Sequence, residues 1–397
     1  MRRTDIVIIG GGLAGSTAAA ITGRAGIETI LVDPHETYPA DLRCEKLDAA
    51  QVAVLRKTGL ADRVLAATTH DGSVWVARRG RLVEKRPSDQ RGILYDALVN
   101  TVRSLIPENV PVLRAKVATA ATTADRQTVV LSDGQEISAR LIVMASGLNL
   151  GFGHGLGLTR EILSPCQSIT VGFDVKPVGR PTFEFPALTY WPEKPSHRMA
   201  YLSLFPIGAT MRANLMVYRE MNDPWLKRMR STPREALNEL MPRLGRLLGA
   251  YEVEGFVKIR PADLYATKGH LQPGLALVGD AFATSCPAAG TGTNKVFTDV
   301  ERLCNVHIPA WLATEGMGLE KIATFYADPV KREADASSLA KAYWLRSLSI
   351  DTGTVWRARR QARVLVGIGR NALRGRRPLP ASSSGSYRPA ADGALNG

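Results

Sequence analysis

The chain has 397 residues, 45% hydrophobic and 22% charged. This is an ordinary globular composition with length for one large domain or two interleaved ones. Its four cysteines (Cys44, Cys166, Cys286, Cys304) are widely spaced and form no C-x-x-C pair. That argues against a disulfide framework or a zinc site and fits a reducing compartment. The formal charge of +14 is concentrated at one end: from Lys341 onward eleven basic residues face two acidic ones. The excess is a property of the tail and need not describe an active site.

The first element, DIVII at 5–9, is short, continuous and β-branched, the texture of a buried parallel strand. The apolar run around it breaks at three glycines and is too short for a signal peptide. No window reaches the roughly 18 apolar residues of a membrane span. A small-residue helix is predicted over 13–24 and a second strand over 29–33, completing a βαβ unit. KLDAAQVAVLRKTG (46–59) reads as a helix with Gly59 at its C-terminal cap. Residues 93–105 have helical spacing, stopped by Pro107. Short strands follow in VPVLRAKVATA and QTVVLSDGQEISARLIVMASG, with SDGQ as a turn.

From about 165 to 260 the texture changes to successive strands rich in aromatics and methionine, with two helices at 223–230 and 233–248. GLALVGD (274–280) returns to the parallel-strand texture. A helix is predicted over 293–308, and more helix over 309–348. The last residues are rich in Pro, Ser and Gly and read as disordered.

Two motifs carry chemistry. Gly10, Gly12 and Gly15 spell G-x-G-x-x-G between the first strand and the helix opened by Leu13 and Ala14. Gly10 permits the tight turn, Gly12 lets backbone approach a pyrophosphate, and Gly15 lets helix pack on strand. The helix start places positive potential on the phosphates. Asp33, ending the second strand, would accept hydrogen bonds from a ribose. The motif specifies a dinucleotide without separating FAD from NAD.

The second motif is GDAFATSCPAAGTGTN (279–294), with Gly279, Asp280, Ala281, Pro287, Gly290, Gly292, Asn294 and, further on, Asp299. Asp280 ends an apolar strand, so it would project at the carboxyl edge of a parallel sheet, where such sheets bind ligands. There it could accept from a ribityl hydroxyl. Residues 287–294 are small enough for backbone to lie against a flat ring. The helix opening at Gly292, Thr293 and Asn294 would aim its positive end at a reduced flavin.

These residues resemble the late motif G-D-A-x-H-x-x-x-P-x-x-G-x-G-x-N of the para-hydroxybenzoate hydroxylase-like, group A flavoprotein monooxygenases. With the first motif, the resemblance covers about residues 4–345. It implies an α/β fold: an FAD-binding Rossmann-like domain of the glutathione-reductase type (1–165 and 255–348) with an inserted β-rich substrate domain (166–254). A basic amphipathic helical segment (349–378) and a disordered tail (379–397) follow. It also implies FAD as cofactor, NADPH or NADH as electron donor, and FAD contacts from Arg43, Arg91 and Val117. The implied reaction is oxygenation of an aromatic or electron-rich small molecule of secondary metabolism, through a flavin C4a-hydroperoxide. The cofactor carries the hard step, so no catalytic triad or metal is required, and no catalytic residue can be named.

Two departures qualify this. Ala283 replaces the motif histidine, and Ala145-Ser146-Gly147 stands where many of these hydroxylases have A-D-G. The second departure bears on the nicotinamide partner. It keeps open a flavin-dependent reductase of a prenyl or lipid-like substrate, of the geranylgeranyl-reductase kind. The halogenase spelling W-x-W-x-I-P is absent. Tyr190, Trp191, Tyr201, Phe205 and Arg260 are the candidate substrate contacts, with sheet core as the alternative for the aromatics. The stretch 355–377 mixes Trp356, Leu365, Val366 and Ile368 with arginines. It fits an anionic membrane surface or a packed helix with a solvated face. The protein is thus expected in the cytoplasm, peripheral to the membrane if that stretch binds lipid. No nucleic-acid recognition motif is present, and nothing signals an oligomeric state.

Overall fold

The structure, a computed structural model, describes residues 1–374. The expected disordered tail and the last residues of the basic segment lie outside the described residues.

Two seven-stranded sheets organise the chain. In the first, Arg2–Ile9 runs parallel to Thr29–Val32 on one side and to Glu136–Met144 on the other. Ile6, Val7 and Ile8 are fully buried, which is why this strand is apolar on both faces rather than alternating. Glu136–Met144 changes partner along its length. Its first half pairs antiparallel with Gln127–Leu131, its second half parallel with Leu275–Leu277. The registers Ile9↔Met144 and Met144↔Leu277 carry the two glycine motifs to the same carboxyl edge of the sheet.

The second sheet has the order 251–268, 159–177, 210–217, 199–207, 188–190, 73–78, 81–87. Its last hairpin, Ser73–Arg78 with Arg81–Pro87, comes from within the segment 1–165 that the sequence assigns to the first domain. The long strands Thr159–Pro177 and Tyr251–Lys268 pair antiparallel along one edge of this sheet. Helices Pro224–Ser231, Pro233–Leu240 and Gly245–Leu248 cover one face of this sheet. They pack Trp225, Leu237 and Leu240 onto Phe173, Leu202 and Leu215, each such side chain contributing about 1.5–3 kcal/mol by burial.

Several predicted boundaries shift. In the predicted 46–59 helix, Lys46–Leu47 is instead a short strand paired to Arg91–Gly92. Asp48 then caps Ala49–Lys57 with a reciprocal Gln51 bond, and Gly59 follows at φ 72°. The 233–248 helix breaks at Met241, which precedes Pro242 and is therefore biased out of helical geometry. The helix from Gly292 ends at Arg302, passes through a π turn at Leu303–His307, and resumes over Ile308–Leu312.

The helix Pro329–Ile350 is capped by Asp328, which accepts from the N–H groups of Val330 and Lys331. Burial disfavours that carboxylate's charge. Hydrogen bonds from Arg302, from the Lys331 N–H and from His307 outweigh the burial and hold Asp328 at about 2. A carboxylate depressed in the folded state stabilises it above the unfolded value near 4 and loses that contribution as pH falls towards about 2. We expect Asp328→Ala to cost roughly 1–2 kcal/mol at neutral pH. Denaturant titration should show the gap between variant and parent closing between about pH 4 and pH 2. A gap independent of pH would contradict the assignment.

Candidate active site

The first strand delivers Gly10 with φ 103°. A Cβ at Gly15 would lie 1.8 Å from the Gly10 carbonyl oxygen, so helix Leu13–Arg24 can meet the strand only with glycine there. The helix begins at Gly12 with no side-chain cap and no acid in its first turn. Its first N–H groups therefore have no partner within the helix. A Cβ at Gly12 would meet only Tyr38, 3.7 Å away. Asp33 accepts from the Gly11 N–H at 2.6 Å and from the His35 N–H at 2.8 Å, which fixes its carboxylate beside the turn.

The late motif arrives beside this one: a Cβ at Gly279 would sit 3.6 Å from that of Ala14. The Gly279 N–H donates to buried Asp299 at 2.9 Å. Pro287–Ala289 forms a short 3-10 turn that ends on Gly290 at φ 64°, whose carbonyl accepts from Gln51 Nε2. Helix Gly292–Arg302, carrying Thr293 and Asn294 in its first turn, again starts without a side-chain cap or an acid. Ala283, at the motif's histidine position, forms an isolated antiparallel bridge with Ala266 of the long strand.

Arg43 links the halves. Its Nη1 donates to Asp280 Oδ2 at 2.6 Å and its Nε to Asp41 Oδ2 at 2.8 Å. Arg260 of the second sheet also pairs with Asp41. The Tyr265 hydroxyl donates to the Asp280 carbonyl at 2.8 Å. Val117 begins the strand at one edge of the first sheet; Leu113, whose carbonyl accepts from the Asp33 N–H, ends the strand at the opposite edge. Arg91 does not join the cluster: its guanidinium faces Asp89 at 3.7 Å.

The candidate substrate residues divide. Along 199–207 and 210–217, Leu202, Leu204, Ala213 and Leu215 face the helix-covered core. Tyr201, Ser203, Phe205, Arg212, Asn214 and Met216 face the other way, towards the first domain. Tyr201 donates to the Ala288 carbonyl in the late motif at 2.9 Å. Lys46 Nζ donates to Ser203 Oγ at 3.0 Å and lies over the Phe205 ring. Arg212 grips buried Glu45 with two bonds of 2.8 and 2.9 Å. Asn214 Oδ1 is buried with no partner, an acceptor available to a ligand hydroxyl. Tyr190 is corrected: it is fully buried in the helix-side core, its hydroxyl donating to Glu193. Trp191 lines a different cleft, against the C-terminal helix. Sequence reasoning named Tyr201, Phe205 and Arg260 but missed Ser203, Arg212, Asn214, Lys46 and Glu45. The period-2 alternation around Tyr201 and Phe205 held the signal for Ser203, and that around Ala213 and Leu215 for Arg212 and Asn214.

Two uncapped helix starts meeting at one sheet edge, with an acid at the end of each adjoining strand, fit the pyrophosphate and ring of a flavin dinucleotide, and define a flavoprotein. A family model described as an FAD binding domain matches residues 3–306. The chain belongs to that family, the para-hydroxybenzoate hydroxylase-like flavoprotein monooxygenases, and is a flavin-dependent oxidoreductase with FAD as cofactor. It is 26% identical over 336 residues to the 3-demethoxyubiquinol 3-hydroxylase of Escherichia coli, spanning 77% of this chain and 80% of that one. It is 28% identical over 168 residues to the menaquinone reductase of Mycolicibacterium smegmatis, 40% of this chain and 41% of that one. The fold matches p-nitrophenol 4-monooxygenase PnpA from Pseudomonas putida with a TM-score of 0.73 and 16% identity, over 94% of this chain and 98% of that one.

Asp280→Ala should weaken FAD binding about 10- to 150-fold, the worth of one charged hydrogen bond at roughly 1.5–3 kcal/mol. The fold should persist, because Asp41 still holds Arg43. Flavin absorbance after gel filtration, with circular dichroism as control, measures both. Wild-type flavin retention would show that the loop is misplaced.

Proposed function

We propose that this chain is an FAD-dependent monooxygenase of an electron-rich aromatic ring, with a quinol- or phenol-type ring as first candidate. The observation that carries it is the polar sheet face of Ser203, Arg212 and Asn214 opposite the flavin motif. It is joined to a likeness, across some four-fifths of both chains, to a hydroxylase of a quinol. When bound, reduced FAD supplies the activated oxygen, with a nicotinamide nucleotide as the donor usual in the family. The protein's own task is to hold the ring against the 287–294 backbone, exclude water and manage one hydroxyl proton. Gly12, Leu13, Ala14 and Gly15 would hold the pyrophosphate, Asp33 the ribose, and Asp280 with Arg43 the ribityl chain. Gly290, Gly292, Thr293 and Asn294 would face the ring.

Lys46 is placed to manage that proton. Burial holds its ammonium below the usual lysine value, and it sits with Ser203 on the substrate face. A cation there favours the ionised, more electron-rich form of a ring hydroxyl. Asn214 Oδ1 would accept from a second hydroxyl. We expect Lys46→Met to keep its FAD while losing turnover on the order of 100-fold at neutral pH, with activity partly restored at higher pH, where the substrate ionises unaided. An unchanged pH profile would remove Lys46 from the mechanism.

A second reading, reduction of a prenylated quinone or similar double bond, is favoured by the altered Ala145-Ser146-Gly147 unit and the partial likeness to a menaquinone reductase. Ser146 donates to the Asn149 carbonyl rather than to any ligand site. Purified holoenzyme would be assayed for NADH and NADPH oxidation over phenols, quinols and polyprenyl quinones, with and without oxygen. Oxygen-dependent gain of one oxygen atom supports the monooxygenase. Anaerobic double-bond reduction supports the reductase and overturns the first reading.

Either substrate class would suit a membrane-facing enzyme. Among the described residues no helix is long and apolar enough to cross a membrane. Helix Thr354–Arg374 exposes Val355, Leu365, Val366 and Ile368 beside its arginines, the arrangement of a helix lying in an anionic interface.

A further inference from the structure

The C-terminal helix covers part of the second sheet but leaves a cleft of about 850 Å³ between them. Arg78, Trp191, Lys194, Arg357, Arg360 and Arg363 line it. The guanidinium carbons of Arg78 and Arg363 lie 4.6 and 4.4 Å from the Trp191 ring centroid. Two guanidinium groups therefore share one indole. Burial, with the neighbouring Arg363 charge, pushes Arg78 down to about 10.

The acids nearby do not balance these cations. Glu193 is taken by the Tyr190 hydroxyl at 2.6 Å and by the Arg243 backbone and side chain. Glu84 faces Arg78, and Asp351 faces Arg360. Arg360 spends one nitrogen on the Leu348 carbonyl. Its Nη2 and Nη1 of Arg363 are buried without a hydrogen-bond partner. Buried N–H groups of a charged guanidinium are rarely left unmatched, since desolvation is uncompensated there.

We propose that this cleft is a phosphate-binding site, with the anion on Arg360 and Arg363. A guanidinium fork matches two oxygens of a tetrahedral oxyanion, and a multiply charged group relieves the repulsion among several arginines better than a single carboxylate does. The cleft is also connected to the candidate active site. Trp191 packs on Tyr201 with ring centroids 5.4 Å apart, and Tyr201 donates to Ala288 in the flavin motif. The proposal does not depend on which reaction the flavin performs. The phosphate could belong to a free compound or to a lipid headgroup, which the exposed apolar residues of the same helix would bring near.

The test uses full-length holoenzyme in two arms: calorimetric titration with inorganic pyrophosphate, and co-sedimentation with phosphatidylglycerol against phosphatidylcholine vesicles. We expect saturable binding in at least one arm, weakened tenfold or more in the Arg360→Gln/Arg363→Gln variant. Pyrophosphate binding points to a free phosphate compound, and binding confined to phosphatidylglycerol vesicles points to a headgroup. Arg359→Gln/Arg370→Gln removes equal charge from outside the cleft; it should change pyrophosphate binding less than threefold and should cost less vesicle binding than the Arg360→Gln/Arg363→Gln variant. Where the first variant loses FAD or circular dichroism, Arg360→Lys, which keeps charge but not the fork, should still weaken binding several-fold. No saturable binding in either arm, or equal losses in both double variants, would overturn the site.

Discussion

A buried carboxylate, Asp299, anchors the start of the late motif, on which the cofactor site depends. It is fully inaccessible and accepts from the Gly279 N–H, from Lys295 at 3.0 Å and from Lys331 at 2.9 Å. Both lysines also pair with Asp335. Burial alone would favour a neutral acid. The two ammonium groups outweigh it and hold Asp299 below the ordinary carboxylate value. Such a quartet is costly to bury and is no source of stability compared with apolar packing. Its return is position: it fixes the first residue of the late motif relative to the helix that follows and to the helix Pro329–Ile350. Remove one partner and a charge is stranded in the core.

With Gly279 fixed, sheet register does the rest. Ile9, Met144 and Leu277 lie abreast, so Gly10 and Gly279 emerge at one edge on either side of strand Glu136–Met144, though 269 positions apart in sequence. Beside an apolar cluster in which Met216, Tyr218 and Leu264 pack on Cys286, Ala288 and Ala289, the second sheet is joined to this edge across the candidate substrate face by polar contacts: Arg212 with Glu45, Arg260 with Asp41, Lys46 with Ser203, Tyr201 with Ala288. An apolar seam would bury more area but leave no room for a polar ligand. Charged pairs hold the separation between the layers while their unused atoms, such as Asn214 Oδ1, remain available.

What was legible in the sequence follows from this division. Strands 5–9 and 274–280 announce themselves because both faces are buried, and the glycine spellings are dictated by contacts too close for any Cβ. FAD was legible because two motifs had to agree. The Lys46–Leu47 strand was not, since two residues acquire strand geometry only through their partner Arg91–Gly92. Nor was the 73–87 hairpin's membership of the second sheet, which depends on parallel pairing of Ser73–Arg78 with Leu188–Tyr190, a contact no local pattern encodes. The substrate face was half legible. Aromatics are the conspicuous residues, yet Tyr190 is core because it opposes Leu202, and the buried polar Ser203 between Tyr201 and Phe205 is the one that meets Lys46.

The two departures from the family motif are unequal in physical terms. Ala283 lies where the loop's backbone bridges to Ala266, while the neighbouring Phe282 carbonyl accepts from Thr267 and Thr284 donates its N–H to Tyr265. The loop is therefore held by backbone bonds at the position where the motif has a side chain, and a small residue costs the cofactor little. Ser146 is different. It lies one residue beyond Ala145, whose N–H donates to the Ile9 carbonyl, at the same carboxyl edge as both glycine motifs, and a neutral serine replaces a carboxylate there. The change removes a negative charge from the edge that receives a dinucleotide's phosphates and a reduced, anionic flavin. On the proposed reading it alters the local potential around electron delivery without touching the groups that would hold the ring. The choice of donor and of reaction is thus where this chain has most freedom to depart from its relatives.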